Sequence, residues 1–482
     1  MSGTNPAAAG RGKLTTFDLT NLVIGSIIGA DIYIATAIGA RLIGPASLLL
    51  WVAAGVMALV IALSFSYCVT LLPKVGGPYA YAGSAAGPLA GFMTGWALLL
   101  AEWFSLAVFP VAFAQYFAAL VPGVGPVGEI GLKALFMAIV VATNVIGIKA
   151  AGRTNDVLTI VKLSPLVLII LGGIAYVVLQ PAAAASNLVP FITGGAAEAG
   201  QALVLIFWAF AGFELSTLPA DMAERPEKSV PKAIIIGMLV VTAFYLLTNL
   251  AVMTSLDRTD LMASSSPLME AASTMFSPLG AAASIVVLFV GVGALISILG
   301  ADESGTLGTS RLAYAMALDG HLPHRMARLH PRFGTPYISI IALGGTAFVA
   351  SVLGGIPALI NSAVFLLGLV YLVTSISAIV LLKRDRERSA ALRGRRIVPV
   401  AGAALSVLLI VLVRPDVWLV GLILLAVGLP VYAFFSPRKE LAEMKRLFLS
   451  EDERRRWARH QSERFLAWPL RRIGSYLRRR ED

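Results

Sequence analysis

Six ionisable side chains stand inside stretches that are otherwise apolar: Asp31, Glu102, Lys162, Glu214, Asp302 and Glu303. Carboxylates and an ammonium in such surroundings suit two kinds of chemistry, holding a cation and trading a proton. Asp31 belongs to Ile24-Gly-Ser-Ile-Ile-Gly-Ala-Asp-Ile-Tyr33, beside the helix-weakening Gly25 and Gly29. Glu214 closes Phe207-Trp-Ala-Phe-Ala-Gly-Phe-Glu214, two residues after Gly212. At mid-membrane an Asp costs roughly 2.5–3.5 kcal/mol on insertion scales, so such residues mark function by default. A backbone broken at that depth survives only where protein buries it or a cavity solvates it.

The elements that must position these residues follow from composition. The 482 residues are 58% hydrophobic and only 13% charged, with a mean hydropathy of +0.83. Soluble domains carry about 25% charged residues, so most of this chain belongs in lipid. A spanning helix needs about 20 apolar residues. Twelve segments qualify, at 17–40, 44–72, 88–120, 130–148, 156–179, 199–221, 232–254, 280–308, 336–353, 357–382, 397–413 and 417–435. The expected fold is an all-α membrane protein with 12 transmembrane helices.

With both termini cytoplasmic, 33 of the 38 Lys and Arg fall on inside segments. Four lie outside (Arg41, Lys133, Arg258 and Arg414), and Lys162 is within the fifth segment. This asymmetry obeys the positive-inside rule. The net charge of +11 therefore reflects orientation and contact with anionic lipid headgroups, and no nucleic acid is expected as a partner. Residues 1–13 form a polar cytoplasmic tail without a removable signal, so the first segment is expected to stay. No organelle signal is seen, which points to the plasma membrane. Residues 436–482 interleave Arg with Trp457, Phe465, Trp468 and Tyr476; an interfacial amphipathic helix is expected. The single cysteine, Cys68, excludes a disulfide framework and reads as a packing residue. The histidines at 321, 324 and 330 lack metal spacing and are expected on a solvated loop. No metal and no cofactor are expected.

Segments one and six are the two interrupted ones, and each opens a set of five. Interruptions at matching places in two halves point to a five-plus-five inverted repeat with a midplane site between broken helices 1 and 6. The transporter domain would span 14–435, with repeats at about 17–179 and 199–382.

Three motifs then resemble the amino acid–polyamine–organocation (APC) superfamily of permeases. The first is Pro73-Lys-Val-Gly-Gly-Pro-Tyr-Ala-Tyr81, followed by Gly91-Phe-Met-Thr-Gly-Trp96. The second is Ala209-Phe-Ala-Gly-Phe-Glu214, followed by Glu224-Arg-Pro-Glu-Lys-Ser-Val-Pro231. The third is Thr309-Ser-Arg-Leu-Ala-Tyr-Ala-Met-Ala-Leu-Asp-Gly320, followed by His330-Pro-Arg-Phe-Gly-Thr-Pro336. The resemblance covers residues 14–435. It implies alternating access and carriage of amino acids or amines, proton-coupled or by exchange.

In that superfamily the helix-one break offers free amides to a substrate carboxylate, here at Ile28, Gly29 and Ala30. Carbonyls near the two breaks, among them those of Trp208 and Ala211, take the amino group; Gly212 forms the second break. This chain departs from the pattern. The usual Gly-Ser-Gly-Ile-Phe run is Gly29-Ala-Asp-Ile-Tyr33, which puts Asp31 where a carboxylate would sit. Either Asp31 is protonated, or it points away, or the substrate has no carboxylate there. The last option favours a cationic amine or cationic amino acid over a neutral one. The competing role for Asp31 is to cap the free amides of the broken helix.

The resemblance makes Lys162 a replacement for a sodium ion and a proton-coupling group, against snorkelling toward the cytoplasm. It gives Glu214 a coupling role, against a structural hydrogen bond. Glu303 falls where a related antiporter lines its pocket with an aromatic, which suggests an acidic pocket with Asp31; the alternative pairs Asp302 and Glu303 with Arg311 at the cytoplasmic end. Trp208 and Phe213 would stack on the substrate by cation–π contact, or simply pack. Glu102 reads as polar packing. A membrane enzyme or ATP-driven pump is disfavoured, since no Walker A motif or nucleophile elbow occurs. A non-transporting sensor on the same fold and an exchanger remain as alternatives. The expected partners are a small-molecule substrate, protons and membrane lipids.

Overall fold

The computed structural model describes residues 15–73, 76–147, 152–214, 226–390, 392 and 394–437. The two expected tails, 1–13 and all of 436–482 beyond its first two residues, lie outside the described residues.

The described residues are helical and contain no strand. In chain order the helices are α1 (Thr16–Ile27), α2 (Ala30–Ile43), α3 (Ser47–Leu71), α4 (Pro78–Ala86), α5 (Pro88–Leu120) and α6 (Pro126–Ile146). Next come α7 (Gly152–Leu179), α8 (Pro181–Ser186), α9 (Ala196–Trp208), α10 (Pro226–Ser255), α11 (Arg258–Ala263) and α12 (Pro267–Phe276). The last are α13 (Ala282–Leu318), α14 (Tyr337–Leu353), α15 (Ile356–Arg384), α16 (Arg386–Ala390), α17 (Val398–Leu412) and α18 (Pro415–Phe435). Proline opens α4, α5 and α6, where its missing N–H costs nothing and its φ is already helical.

Among the described residues, eight helical stretches are long and apolar enough to cross a membrane, and three shorter apolar helices accompany them. Large apolar side chains face outward along them, including Leu135 on α6, Leu171 on α7, Leu288 on α13 and Leu419 on α18. A surface this apolar is normal only against lipid. The chain is a multi-pass membrane protein.

The first expected segment is two helices. A capping box starts α1: the Asp18 amide donates to the Thr15 hydroxyl, and the Thr15 amide donates to the Asp18 carboxylate at 2.8 Å. It ends at Ile27, and α2 begins at Ala30, with Ile28 and Gly29 extended between them. Segment six likewise ends as regular helix at Trp208 and continues as turns through Glu214.

Segment eight is longer than expected. Nothing breaks the Ala- and Leu-rich run before Gly320, so α13 carries the Thr309-Ser-Arg motif as helix. At 37 residues and 1.5 Å per residue it is about 55 Å long, well beyond a hydrocarbon core of about 30 Å. Short helices α4, α8, α11 and α12 occupy stretches read from sequence as loops.

The packing surrounds the two breaks. α1 lies on α7 and α10; α9 lies on α3 and α15. α3 packs on α10, α5 on α13 and α15, α7 on α13, and α6 on α14. α17 and α18 add to the outside of α15.

Candidate functional site

A helix that stops inside the protein leaves carbonyls at its C-terminal end without helical partners. At the end of α1, side chains from two other helices supply them. The Lys162 ammonium, on α7, donates to the Gly25 carbonyl at 3.0 Å. The Tyr245 hydroxyl, on α10, lies 3.2 Å from the Ile27 carbonyl. The same hydroxyl is 3.0 Å from the Ala209 carbonyl, at the end of α9, and also contacts the Asp31 carboxyl. One phenolic oxygen thus touches both breaks and Asp31.

Asp31 is in the first turn of α2, where the helix dipole favours a negative group. Its two oxygens face different partners. Oδ1 lies on the Gly29 side, and the Gly29 and Asp31 amides point at the carboxyl. Oδ2 meets Tyr245. The carboxyl therefore both caps the free amides and touches the second break through Tyr245. Only 4% of Asp31 is exposed. Tyr33, two residues on, is pinned by the Tyr116 hydroxyl of α5, which donates to its carbonyl at 2.8 Å.

Gly29 is what lets α13 approach the break. A Cβ there would collide with the Ala301 Cβ and press on Phe109. Ile28 and Ala30 are buried on either side. Phe109 in turn stands beside Trp208, whose indole donates to the Ser105 hydroxyl at 3.1 Å. The Trp208 carbonyl is taken by the Ala211 amide.

A second cluster forms behind the helix-six break. The Gly212 amide donates to Glu214 Oε1 at 3.0 Å, and the Tyr371 hydroxyl of α15 donates to Oε2 at 3.2 Å. The Glu214 carboxyl also faces that of Glu102 on α5. Both are buried. Two carboxyl groups so placed can share a hydrogen bond when one of them holds a proton. Phe213 is sealed between Tyr371, stacked at 5.3 Å, and Phe65.

The structure thus brings together Ile28, Gly29, Ala30, Asp31, Trp208, Ala211, Gly212 and, through the Gly25 carbonyl, Lys162. Lys162 does not snorkel; it is 3% exposed and directed at the break. Phe213 packs in an aromatic cluster rather than beside Asp31. On α13 the face toward the break carries Ala301 and, one turn earlier, Ser297 near Tyr33. Glu303 is two positions past Ala301, about 200° around the helix, so it does not share that face. Asp302 is buried in α13.

One sequence expectation is overturned. His321 is not on a solvated loop; it is 3% exposed, enclosed by Phe92 and Tyr432 and bonded to Tyr79. The hydrophobic pattern around the Asp319-Gly320 turn gave no hint that α4, α5 and α18 close over it.

Sequence reasoning also missed Tyr245, Tyr371 and the Glu102 partnership. A signal existed for the tyrosines. Membrane tyrosines concentrate at the interfaces, yet Tyr245 and Tyr371 sit near the middle of α10 and α15.

Comparison with known proteins gives the family. The amino acid permease family model matches residues 14–437. The chain is similar to the methylthioribose transporter of Bacillus subtilis, 28% identical over 451 residues, 89% of this chain and 94% of that protein. It is similar to the branched-chain amino acid permease BcaP of the same organism, 27% identical, over 88% of this chain and 93% of that one. It is also similar to the human cystine/glutamate transporter, 29% identical, over 72% of this chain and 70% of that protein. The chain belongs to the amino acid permease family, as the motif resemblance implied. It is a membrane transporter of small molecules of the amino acid class, not an enzyme.

Proposed function

We propose that this permease is a proton-coupled secondary carrier whose substrate is a cationic amine or cationic amino acid. The observation that carries the proposal is the carboxyl of Asp31 in the helix-one break, joined through Tyr245 to the carbonyls of Ile27 and Ala209. The groups that meet the Tyr245 oxygen, the Asp31 carboxyl and the Ile27 and Ala209 carbonyls, are all hydrogen-bond acceptors. Such a set suits an ammonium, which has three donors and no acceptor. A substrate carboxylate beside an ionised Asp31 would meet like charge in a site of low dielectric.

The architecture proposed is twelve spans in a five-plus-five inverted repeat, with both termini cytoplasmic in the cell membrane. The packing supports it. Exchanging each helix of the first half for its counterpart in the second turns the α1–α10 contact into α9–α3. The same exchange turns α5–α15 into α13–α7, and α1–α7 into α9–α15. These three contacts each have their mirror, which fits an internal repeat. α1, α2, α3, α9 and α10 would rock against the rest, opening the breaks to one side and then the other. Lys162 and Glu214 would link protons to that motion, since Lys162 reaches the first break from the scaffold and Glu214, at the second break, meets Tyr371 of the scaffold. The basic tail would rest on anionic headgroups.

Radiolabelled uptake into proteoliposomes tests this. Lysine and its decarboxylated counterpart cadaverine should both enter, and leucine should enter poorly. Asp31→Gly should shift preference toward leucine. An unchanged ranking in Asp31→Gly would end the acidic-site proposal.

A further inference from the structure

We propose that Asp31 carries a proton while it contacts Tyr245 and that the ammonium of the substrate displaces that proton, so that amine and proton exchange at one carboxyl. This deepens the proposed function and rests on its amine substrate.

The inference comes from counting donors around the Tyr245 oxygen. It touches three groups: Asp31 Oδ2, the Ile27 carbonyl at 3.2 Å and the Ala209 carbonyl at 3.0 Å. A phenol has one proton to give and can accept, whereas a carbonyl or carboxylate can only accept. With Asp31 ionised, one of the three contacts is a hydrogen bond and the other two set lone pair against lone pair. With Asp31 protonated on Oδ2, Asp31 donates to Tyr245 and Tyr245 donates to a carbonyl. Two contacts are then satisfied. Oδ1 stays free to accept from the amides on the Gly29 side, which is the division of labour a carboxylic acid requires.

The groups facing Asp31 agree with this assignment. α10 contributes Tyr245 and α2 contributes Tyr33. α13 brings Ala301 and Ser297 to this face. Among the described residues, the cation acting on Asp31 is Lys162 of α7, whose ammonium is engaged at the Gly25 carbonyl. α5 reaches Tyr33 through Tyr116 rather than Asp31.

The three acceptors around the Tyr245 oxygen are also three partners for a primary ammonium. The Tyr245 hydroxyl therefore occupies the place that suits a substrate nitrogen. When an amine enters, its three N–H groups go to Asp31 Oδ2, the Ile27 carbonyl and the Ala209 carbonyl. The Tyr245 hydroxyl withdraws, and the Oδ2 proton leaves to water on the open side. One positive charge enters as one leaves. A carrier that must hold either the proton or the amine before it rocks is an antiporter, so an acidic exterior drives amine export.

The test uses the full-length protein in nanodiscs with cadaverine as the probe. Calorimetry in buffers of different ionisation enthalpy should show about one proton released per cadaverine bound, as the single acid group predicts. Infrared difference spectra should show the loss of a protonated-carboxyl band on cadaverine addition. Asp31→Asn, which keeps the shape and the amide contacts, should lack both signals. Tyr245→Phe should still release the proton but bind cadaverine several-fold more tightly, because no hydroxyl has to withdraw. Binding without proton release, or equal release in Asp31→Asn, overturns the exchange while leaving the amine carrier standing. Weaker binding in Tyr245→Phe overturns the placeholder role. If neither cadaverine nor lysine binds or is transported, the proposed function itself fails and the exchange falls with it.

Discussion

Gly212 lies directly against the Ser26 carbonyl, so the two broken helices meet at their breaks. A Cβ on Gly212 would sit 2.5 Å from that oxygen, and its φ of +116° is one that side chains rarely adopt. The contact explains why both interruptions are needed. Each helix yields its regular hydrogen bonds where the other approaches, and the freed carbonyls are covered by Lys162 and Tyr245.

Gly212→Ala should therefore separate the breaks. The left-handed backbone costs an alanine roughly 1–2 kcal/mol, and the methyl group must push α1 away. Transport in proteoliposomes should fall at least tenfold, with a lower melting temperature in detergent. A fully active Gly212→Ala protein would mean that the breaks do not need to touch.

Lys162→Met keeps the length and apolar stem of the side chain and removes its charge. The Gly25 carbonyl then loses its donor, at a cost of about 1–3 kcal/mol for a buried unsatisfied group. Transport driven by an imposed pH gradient should weaken, the exchangeable proton of Asp31 remaining, while exchange of substrate between the two sides persists. Undiminished pH-driven transport in this variant would remove Lys162 from the coupling machinery.

The Glu102–Glu214 pair makes a different prediction. Glutamine at 102 can donate an N–H to Glu214 in place of the shared acid proton. Glu102→Gln should thus fold as stably as the parent but show a flatter dependence of transport on pH. Glu102→Leu removes the donor and should lose about 1–3 kcal/mol of stability. Equal melting temperatures for the two variants would contradict the shared hydrogen bond.

Much of this site was legible before any coordinates. Gly25, Gly29 and Gly212 betrayed the breaks because glycine runs contradict a helix that must satisfy its backbone in lipid. Asp31 and Lys162 stood out because a charge in an apolar run has no trivial explanation. What stayed hidden were relations across the chain. Tyr245 lies 214 residues from Asp31, and Glu102 packs behind a break more than a hundred residues away. No local pattern encodes such pairings, since each residue type is compatible with ordinary packing. Glu303 was placed by counting back from the Thr-Ser-Arg motif, whereas the residue of α13 that meets Gly29 is Ala301. His321 was misplaced for another reason. A polar turn after a long helix reads as solvated unless other helices are known to cover it.

The cluster around His321 supports one more prediction. Tyr79, from the Gly-Gly-Pro-Tyr-Ala-Tyr stretch on α4, donates its hydroxyl proton to Asp319 and lies 2.9 Å from His321 Nδ1. Because the hydroxyl proton is used on Asp319, the Tyr79 oxygen must accept from His321, which fixes the imidazole proton on Nδ1. The chain of donors joins α4 to the end of α13, so two of the sequence motifs are one hydrogen-bonded unit. Tyr79→Phe breaks both links at once; Asp319→Ala and His321→Phe each break one. Each single change should lower stability by about 1 kcal/mol. Because the links share one oxygen, Tyr79→Phe combined with Asp319→Ala should cost little more than Tyr79→Phe alone. A thermal or denaturant double-mutant cycle measures this directly, with a coupling of about 0.5–3 kcal/mol expected for residues in one network. Strict additivity would show that Tyr79 and Asp319 act independently.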